Sequence, residues 1–176
     1  MSLNNYMIGL KRGTVKLVKY NYKWKDSFEN EESKLRKVFG NDLIDSQHIG
    51  STAIPGILAK PIVDIGLIVS SFSKVDRYIE KLREIGYELK KDDNRKERLF
   101  FTKGPEEKRT HYLHIGEKGS GYIEEMIIFR NYLSKNKDAA EKYSELKEEL
   151  ASKYEDKREI YTQKKEDFIK KIINNI

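Results

Sequence analysis

His48-Ile49-Gly50-Ser51-Thr52, continuing through Pro55-Gly56 and Lys60-Pro61 into Ile62-Val63-Asp64-Ile65-Gly66-Leu67-Ile68-Val69, decides how the rest of the chain is read. A short strand ends in a polar Gly-Ser turn, and after a Pro-Gly loop a second, apolar strand begins near Ile62. Alternation puts Ile62, Asp64, Gly66 and Ile68 on one face and Val63, Ile65, Leu67 and Val69 on the other. A carboxylate among Ile, Val and Leu is costly to bury unless it is paired, hydrogen-bonded or metal-bound. Asp64 is therefore either a structural group bonded to Lys60, Ser51 or backbone N–H groups, or a Mg²⁺ ligand at the mouth of a cleft. Gly50-Ser51 beside it offers N–H groups and a hydroxyl to phosphate oxygens. The expectation is one cleft, shared by Gly50-Ser51 and Asp64, that handles a phosphate or nucleotide.

Working outward, Thr14 to Val18 alternates as a short strand, and Trp24, Phe28, Glu32, Leu35, Val38 and Phe39 recur at helical spacing up to Gly40. Ser73 to Asp76 partly matches a capping box before a helix ending at Gly86, and Tyr87-Glu88-Leu89 is extended. Lys90 to Glu97 reads as a solvated loop, and Arg98–Thr102 and Thr110–Ile115 as two more strands. The last third is helical: Glu124–Leu133, then Asp138 to about Lys153 with Ala139, Tyr143, Leu146 and Leu150 as its stripe. Asp156 with Glu159 caps a final helix that packs through Ile160, Phe168, Ile169, Ile172 and Ile173. The order predicts one α/β (α+β) domain over residues 1–176, a mixed sheet covered by helices with a helical C-terminal part.

Composition narrows the function classes. With 38% hydrophobic and 36% charged residues, the chain is polar yet has the aromatic mass of a folded domain. A net charge of +6 suits an anionic ligand, but Lys and Glu are interspersed rather than segregated, so a nucleic-acid face is the less favoured partner. The absence of Cys excludes disulfides and thiolate metal sites. Met1 to Asn5 lacks the apolar core of a signal peptide, so a cytoplasmic protein with no membrane partner is expected.

Other candidates are weaker. Gly50-Ser51-Thr52-Ala53 is not a P-loop. His111 and His114 stand three apart on a strand and point to opposite faces, which argues against a zinc pair. Lys60, Arg98, Lys103 and Arg109 could contact phosphate, Arg being the better bidentate partner. Trp24 reads as core rather than as a base-stacking residue.

The signature His48-Ile49-Gly50-Ser51-Thr52-Ala53-Ile54-Pro55-Gly56, then Ala59-Lys60-Pro61-Ile62-Val63-Asp64-Ile65, closely resembles that of the GrpB family. The likeness extends over about residues 14–173. It takes in Arg98–Gly104, Thr110–His114, Phe129–Leu133, Tyr143–Lys147, and Tyr161 with Lys164. The resemblance implies a nucleotidyltransferase-like fold, a small mixed sheet with helices on one side. Some members of the family are fused to a dephospho-coenzyme A kinase domain. Active nucleotidyltransferases follow Gly-Ser with two carboxylates on the next strand and a third on a later one, and these hold Mg²⁺. The resemblance thus implies Gly50, Ser51, Lys60, Arg98 and His48 as ligand contacts, Asp64 as catalytic carboxylate and metal ligand, and His114 at the place of the third carboxylate. Gly66 stands where the second carboxylate belongs.

Two expectations follow. One is an enzyme transferring a nucleotidyl group through Asp64 and a histidine, with Mg²⁺. The other is a catalytically silent protein that binds a nucleotide or another phosphate-bearing small molecule in the same cleft.

Overall fold

The structure, a computed structural model, describes residues 8–91, 98–155 and 157–176. The loop expected at Lys90–Glu97 falls largely outside the described residues, as do Met1–Asn5 and the capping residue Asp156.

Five strands, β1 (Leu43–Ile49), β2 (Val63–Val69), β3 (Tyr87–Leu89), β4 (Leu99–Lys103) and β5 (His111–Glu117), form one sheet in the order β1-β2-β5-β4-β3. Only β2 and β5 run parallel; the other neighbours are antiparallel. The expected mixed sheet is present.

The alternation of β2 sets the two faces. Val63, Ile65, Leu67 and Val69 join Leu113 and Ile115 of β5 in a core covered by α1 (Lys23–Phe39) and α2 (Ile79–Glu84). Trp24, Phe28, Leu35 and Phe39 point into it from α1, so Trp24 is core. Glu31, not Glu32, completes that buried stripe, and it is held by Lys103 Nζ (2.7 Å) and the Tyr87 hydroxyl (3.0 Å). Burial would raise the Glu31 carboxyl pKa, but Lys103 and Lys34 outweigh it and hold it below its usual value.

The opposite face carries Asp64, Gly66, Tyr112, His114 and Gly116, and the helical C-terminal part closes over it. Its helices are α3 (Tyr122–Lys135), α4 (Lys137–Lys153) and α5 (Arg158–Ile173). Ile123 of α3 lies directly on Gly66 and Gly116. Arg130 ties α3 to β1, donating to the His48 carbonyl (2.7 Å) and to Gln47 Oε1 (3.1 Å).

Several local expectations are corrected. Thr14–Val18 is not a strand: Val18 alone pairs, with Ala59, and the next residue in that register, opposite Lys16, is Pro61, which has no N–H to give. The residues after Val69 form a 3-10 turn over Phe72–Tyr78 capped by Ser71, whose hydroxyl accepts from the Ser73 amide; Ser73 itself does not cap. The buried stripe of α4 is Ala140, Tyr143, Lys147 and Leu150 rather than Ala139 to Leu150 through Leu146. In α5 Tyr161 is buried, whereas Ile160 is exposed. Among the described residues no helix is long and apolar enough to cross a membrane.

Candidate functional site

Between the Asp64 face of the sheet and the C-terminal helices lies a cleft of about 500 Å³, room for a nucleotide-sized ligand. β1 delivers Gly50 and Ser51 to its rim, β2 Asp64, β5 Tyr112 and His114, and the residue just before β4 Arg98. Gly50 is needed here for two reasons. Its φ of +71° is unfavourable for other residues, and a Cβ would lie 2.5 Å from Asp64 Oδ2. The Asp64 carboxylate is thus seated against the backbone of the turn.

Asp64 Oδ1 lies 3.3 Å from His114 Nε2, and Arg98 Nη1 lies 3.4 Å from His114 Nδ1. A guanidinium can only donate, so His114 accepts at Nδ1 and carries its proton on Nε2, directed at Asp64. Asp64 is partly exposed to the cleft, whereas His114 is buried. Of the partners expected for a structural Asp64, neither Lys60 nor Ser51 is its side-chain partner; the partner is a histidine.

Lys147 of α4 reaches across to this turn. Its Nζ donates to Ser51 Oγ (3.1 Å) and to the Leu58 carbonyl, and the Ser144 hydroxyl accepts from the Leu58 amide (3.0 Å). Burial, with Lys165 and Lys60 nearby, lowers the Lys147 pKa to about 7. Burial likewise brings Lys60 down to about 7, with Lys165 and Arg158 adding to the effect and Asp64 opposing it. Lys165 is lowered too, first by burial. These cations rest on aromatic rings: Lys60 and Lys165 by Tyr161 (5.3 and 5.4 Å), Lys147 by Tyr143 (4.6 Å), and Arg158 by Tyr112 (5.7 Å).

Of the residues expected at the site, Gly50, Ser51, Lys60, Asp64, Arg98 and His114 converge on the cleft. His48 does not. It sits on the α1 side of the sheet, stacked on Phe28 at 5.0 Å and bonded to Thr52 Oγ1 (3.0 Å). Burial holds its pKa near 4, so it is a neutral packing group. The strand alternation that separates Asp64 from Ile65 carries His48 with Ile65, its cross-strand partner. His111 is on that side also, bonded to Ser27 Oγ (3.1 Å). Lys103 is paired with Glu31, and Arg109 is bonded to the Gly104 carbonyl, so neither lines the cleft.

Lys147, Lys165 and Arg158 escaped sequence reasoning as site residues. Each lies in a helix where Lys and Glu alternate, and only a position one turn from Tyr143 or Tyr161 marks Lys147 and Lys165. Lys164, part of the family likeness, is exposed; its neighbour Lys165 lines the cleft.

Among the described residues no group of three or more His, Cys, Asp or Glu side chains is placed to hold a metal ion. A Cβ at Gly66 would sit 3.0 Å from Ile123 Cγ2 and 3.1 Å from Ile49 Cδ1, so α3 fills the place of the second carboxylate. The residues present do not fit a two-metal centre.

The family model described as "GrpB protein" matches residues 14–175. Protein YqkA of Bacillus subtilis (strain 168) is 38% identical over 161 residues, covering 92% of this chain but 47% of YqkA, so the chain spans about half of that relative. The crystal structure of conserved protein GrpB from Enterococcus faecalis superposes with a TM-score of 0.76 at 32% identity, covering 89% of this chain and 99% of that one. The Cid1 poly(U) polymerase, solved with MgGTP bound, aligns with a TM-score of 0.53 at 15% identity over 76% of this chain and 44% of its own, a likeness of fold alone.

Proposed function

The chain belongs to the GrpB family, and from that premise we propose that its nucleotidyltransferase-like fold holds a nucleotide, or another small molecule bearing phosphate, in the cleft between Gly50-Ser51, Asp64 and the C-terminal helices. The observation that carries this reading is the convergence of Lys60, Lys147, Lys165 and Arg158, from the loop before β2 and two helices, on one cleft, where Lys147 reaches the Gly-Ser turn. Gathering these basic groups in a half-buried cleft carries a cost, first from burial and then from their mutual repulsion, and the lowered pKa values of Lys60 and Lys147 reflect both. An anionic ligand offsets that cost. Aromatic walls at Phe100, Tyr112 and Tyr161 suit the base or another apolar part of the ligand.

Titration calorimetry with ATP as the probe tests the proposal. Saturable binding is expected, weakened about tenfold or more by Lys60→Met, which removes one charge-assisted contact. Because Lys60 and Lys147 have pKa values of about 7, affinity is expected to fall as pH rises from 7 toward 9. Unchanged binding across that range, or in Lys60→Met, overturns the assignment of these lysines.

A second reading, nucleotidyl transfer, is favoured by the contact of Asp64 with His114. Asp64 is then the carboxylate of this chain that would hold a divalent ion such as Mg²⁺. Pyrophosphate release abolished by Asp64→Asn would support it, and saturable binding without turnover would leave the silent-binder reading. No carrier of either reading requires nucleic acid or a membrane as partner.

A further inference from the structure

The cleft departs from a nucleotidyltransferase centre in two ways at once. It lacks the second carboxylate, and it has an excess of cations. Six of its lining residues are Lys or Arg, against three carboxylates, Asp64, Glu125 and Glu166. The two departures have one electrostatic meaning. In a metal-dependent site clustered carboxylates attract a divalent ion, and the ion then neutralises the phosphates. Here the sign of the local charge is reversed.

The way the cations are held sharpens the point. Among the described residues Lys60, Lys147, Lys165 and Arg158 form no ion pair with a carboxylate. They lie against the rings of Tyr161, Tyr143 and Tyr112 instead. A ring face steadies a cation without cancelling its charge, so the charge stays available to a ligand. Lys147, which lines the cleft, is the clearest case: among the described residues its nitrogen is bonded to neutral oxygens, those of Ser51 and Leu58.

The carboxylate side is closed by packing as well as by sequence. Ile123 covers Gly66 at 3.0 Å and Gly116 at 2.7 Å, measured to the Cβ each glycine lacks. α3 therefore rests where a second and a neighbouring acidic side chain would stand. Asp64, the remaining carboxylate on this strand, receives the Nε2 proton of His114.

We infer that the site takes its phosphate ligand free of divalent metal, with Lys60, Lys147, Lys165 and Arg158 supplying the positive charge that Mg²⁺ supplies elsewhere, and that it discriminates against the Mg²⁺ chelate. The inference rests on the phosphate-binding reading above and specifies the charge state of its ligand. A free triphosphate carries two more negative charges than its Mg²⁺ chelate, and a cleft with surplus cations binds the more highly charged form. A chelated ion would also bring two positive charges among the basic groups already gathered there.

Calorimetric titration of the full chain with ATP, and separately with inorganic triphosphate, in excess EDTA and in saturating Mg²⁺ at matched ionic strength, tests this. The expected result is binding of both probes in EDTA and about tenfold or greater weakening in Mg²⁺. Equal or tighter binding in Mg²⁺ overturns this inference while leaving the phosphate site standing. Binding of neither probe in either condition overturns the phosphate site, and the inference with it. Lys165→Met and Arg158→Met, both half-buried on the cleft side of α5 and checked for native far-UV circular dichroism, are expected to narrow the gap between EDTA and Mg²⁺. A gap unchanged in both folded variants assigns the discrimination elsewhere and also overturns the inference.

Discussion

Gly66 is the residue on which the chemistry turns. A side chain added there meets Ile123 and Ile49 within about 3.0–3.1 Å, tighter than ordinary contact. Gly66→Asp is therefore expected to cost about 1–3 kcal/mol from overpacking alone, read as a lower urea midpoint. A double-mutant cycle with Ile123→Ala should show coupling between the two sites, because truncating Ile123 relieves the closer of the two contacts. A fully stable Gly66→Asp would show that α3 does not block the position. The identity of Gly66 is legible in the sequence, and so is its place on the Asp64 face. That its space is already taken is not, because Ile123 comes from a helix that begins only after β5.

Helix α4 shows what pattern reading loses at the scale of an element. An apolar stripe through Leu146 is the natural choice, yet Lys147 is the more deeply buried of the two. The helix is turned so that this lysine pins the 51–61 loop through Ser51 and Leu58. Burying an ammonium whose pKa falls from 10.5 to about 7 destabilises the fold. The unfolded chain binds the extra proton between pH 7 and 10.5, so wild-type stability rises with pH across that window and the penalty is complete below it. Lys147→Met, which keeps the volume and drops the charge, is expected to be more stable than wild type at pH 7 in urea unfolding. Its advantage should shrink toward pH 10, and its affinity for phosphate should fall. A variant less stable than wild type at pH 7 would mean that the bonds to Ser51 and Leu58 outweigh the burial cost.

At the scale of the molecule, β2 and β5 are shared by two cores. Their Val63-Ile65-Leu67 and Leu113-Ile115 side packs against α1 and α2, and their Asp64-Gly66 and His114-Gly116 side receives α3. Melting either cover exposes the same two strands, so residues 1–176 are expected to unfold as a single domain. Trp24 fluorescence, reporting the α1 side, and far-UV circular dichroism, dominated by the helices, should give coincident urea midpoints. Separate midpoints would divide the chain into two units.

The strand faces and the family signature of this protein were legible in its sequence alone. Period-two alternation in β2 set the two faces of the sheet and placed Asp64 and Gly66 together, and the same alternation in β5 sent His111 and His114 apart, because a strand's side-chain direction depends only on its neighbours. The signature around Gly50-Ser51 pointed to the family and its fold. The cationic half of the cleft was decided by tertiary structure. Ser51 and Lys147 meet across 96 residues, and which lysine of a Lys- and Glu-rich helix turns inward depends on how that helix is rotated against its neighbours. The same dependence removed His48 from the site: its place in the signature suggested a ligand contact, and the pairing of β1 with β2 put it against Phe28. Sequence spacing reports direction along one element. Convergence of charge is a property of several elements packed at once.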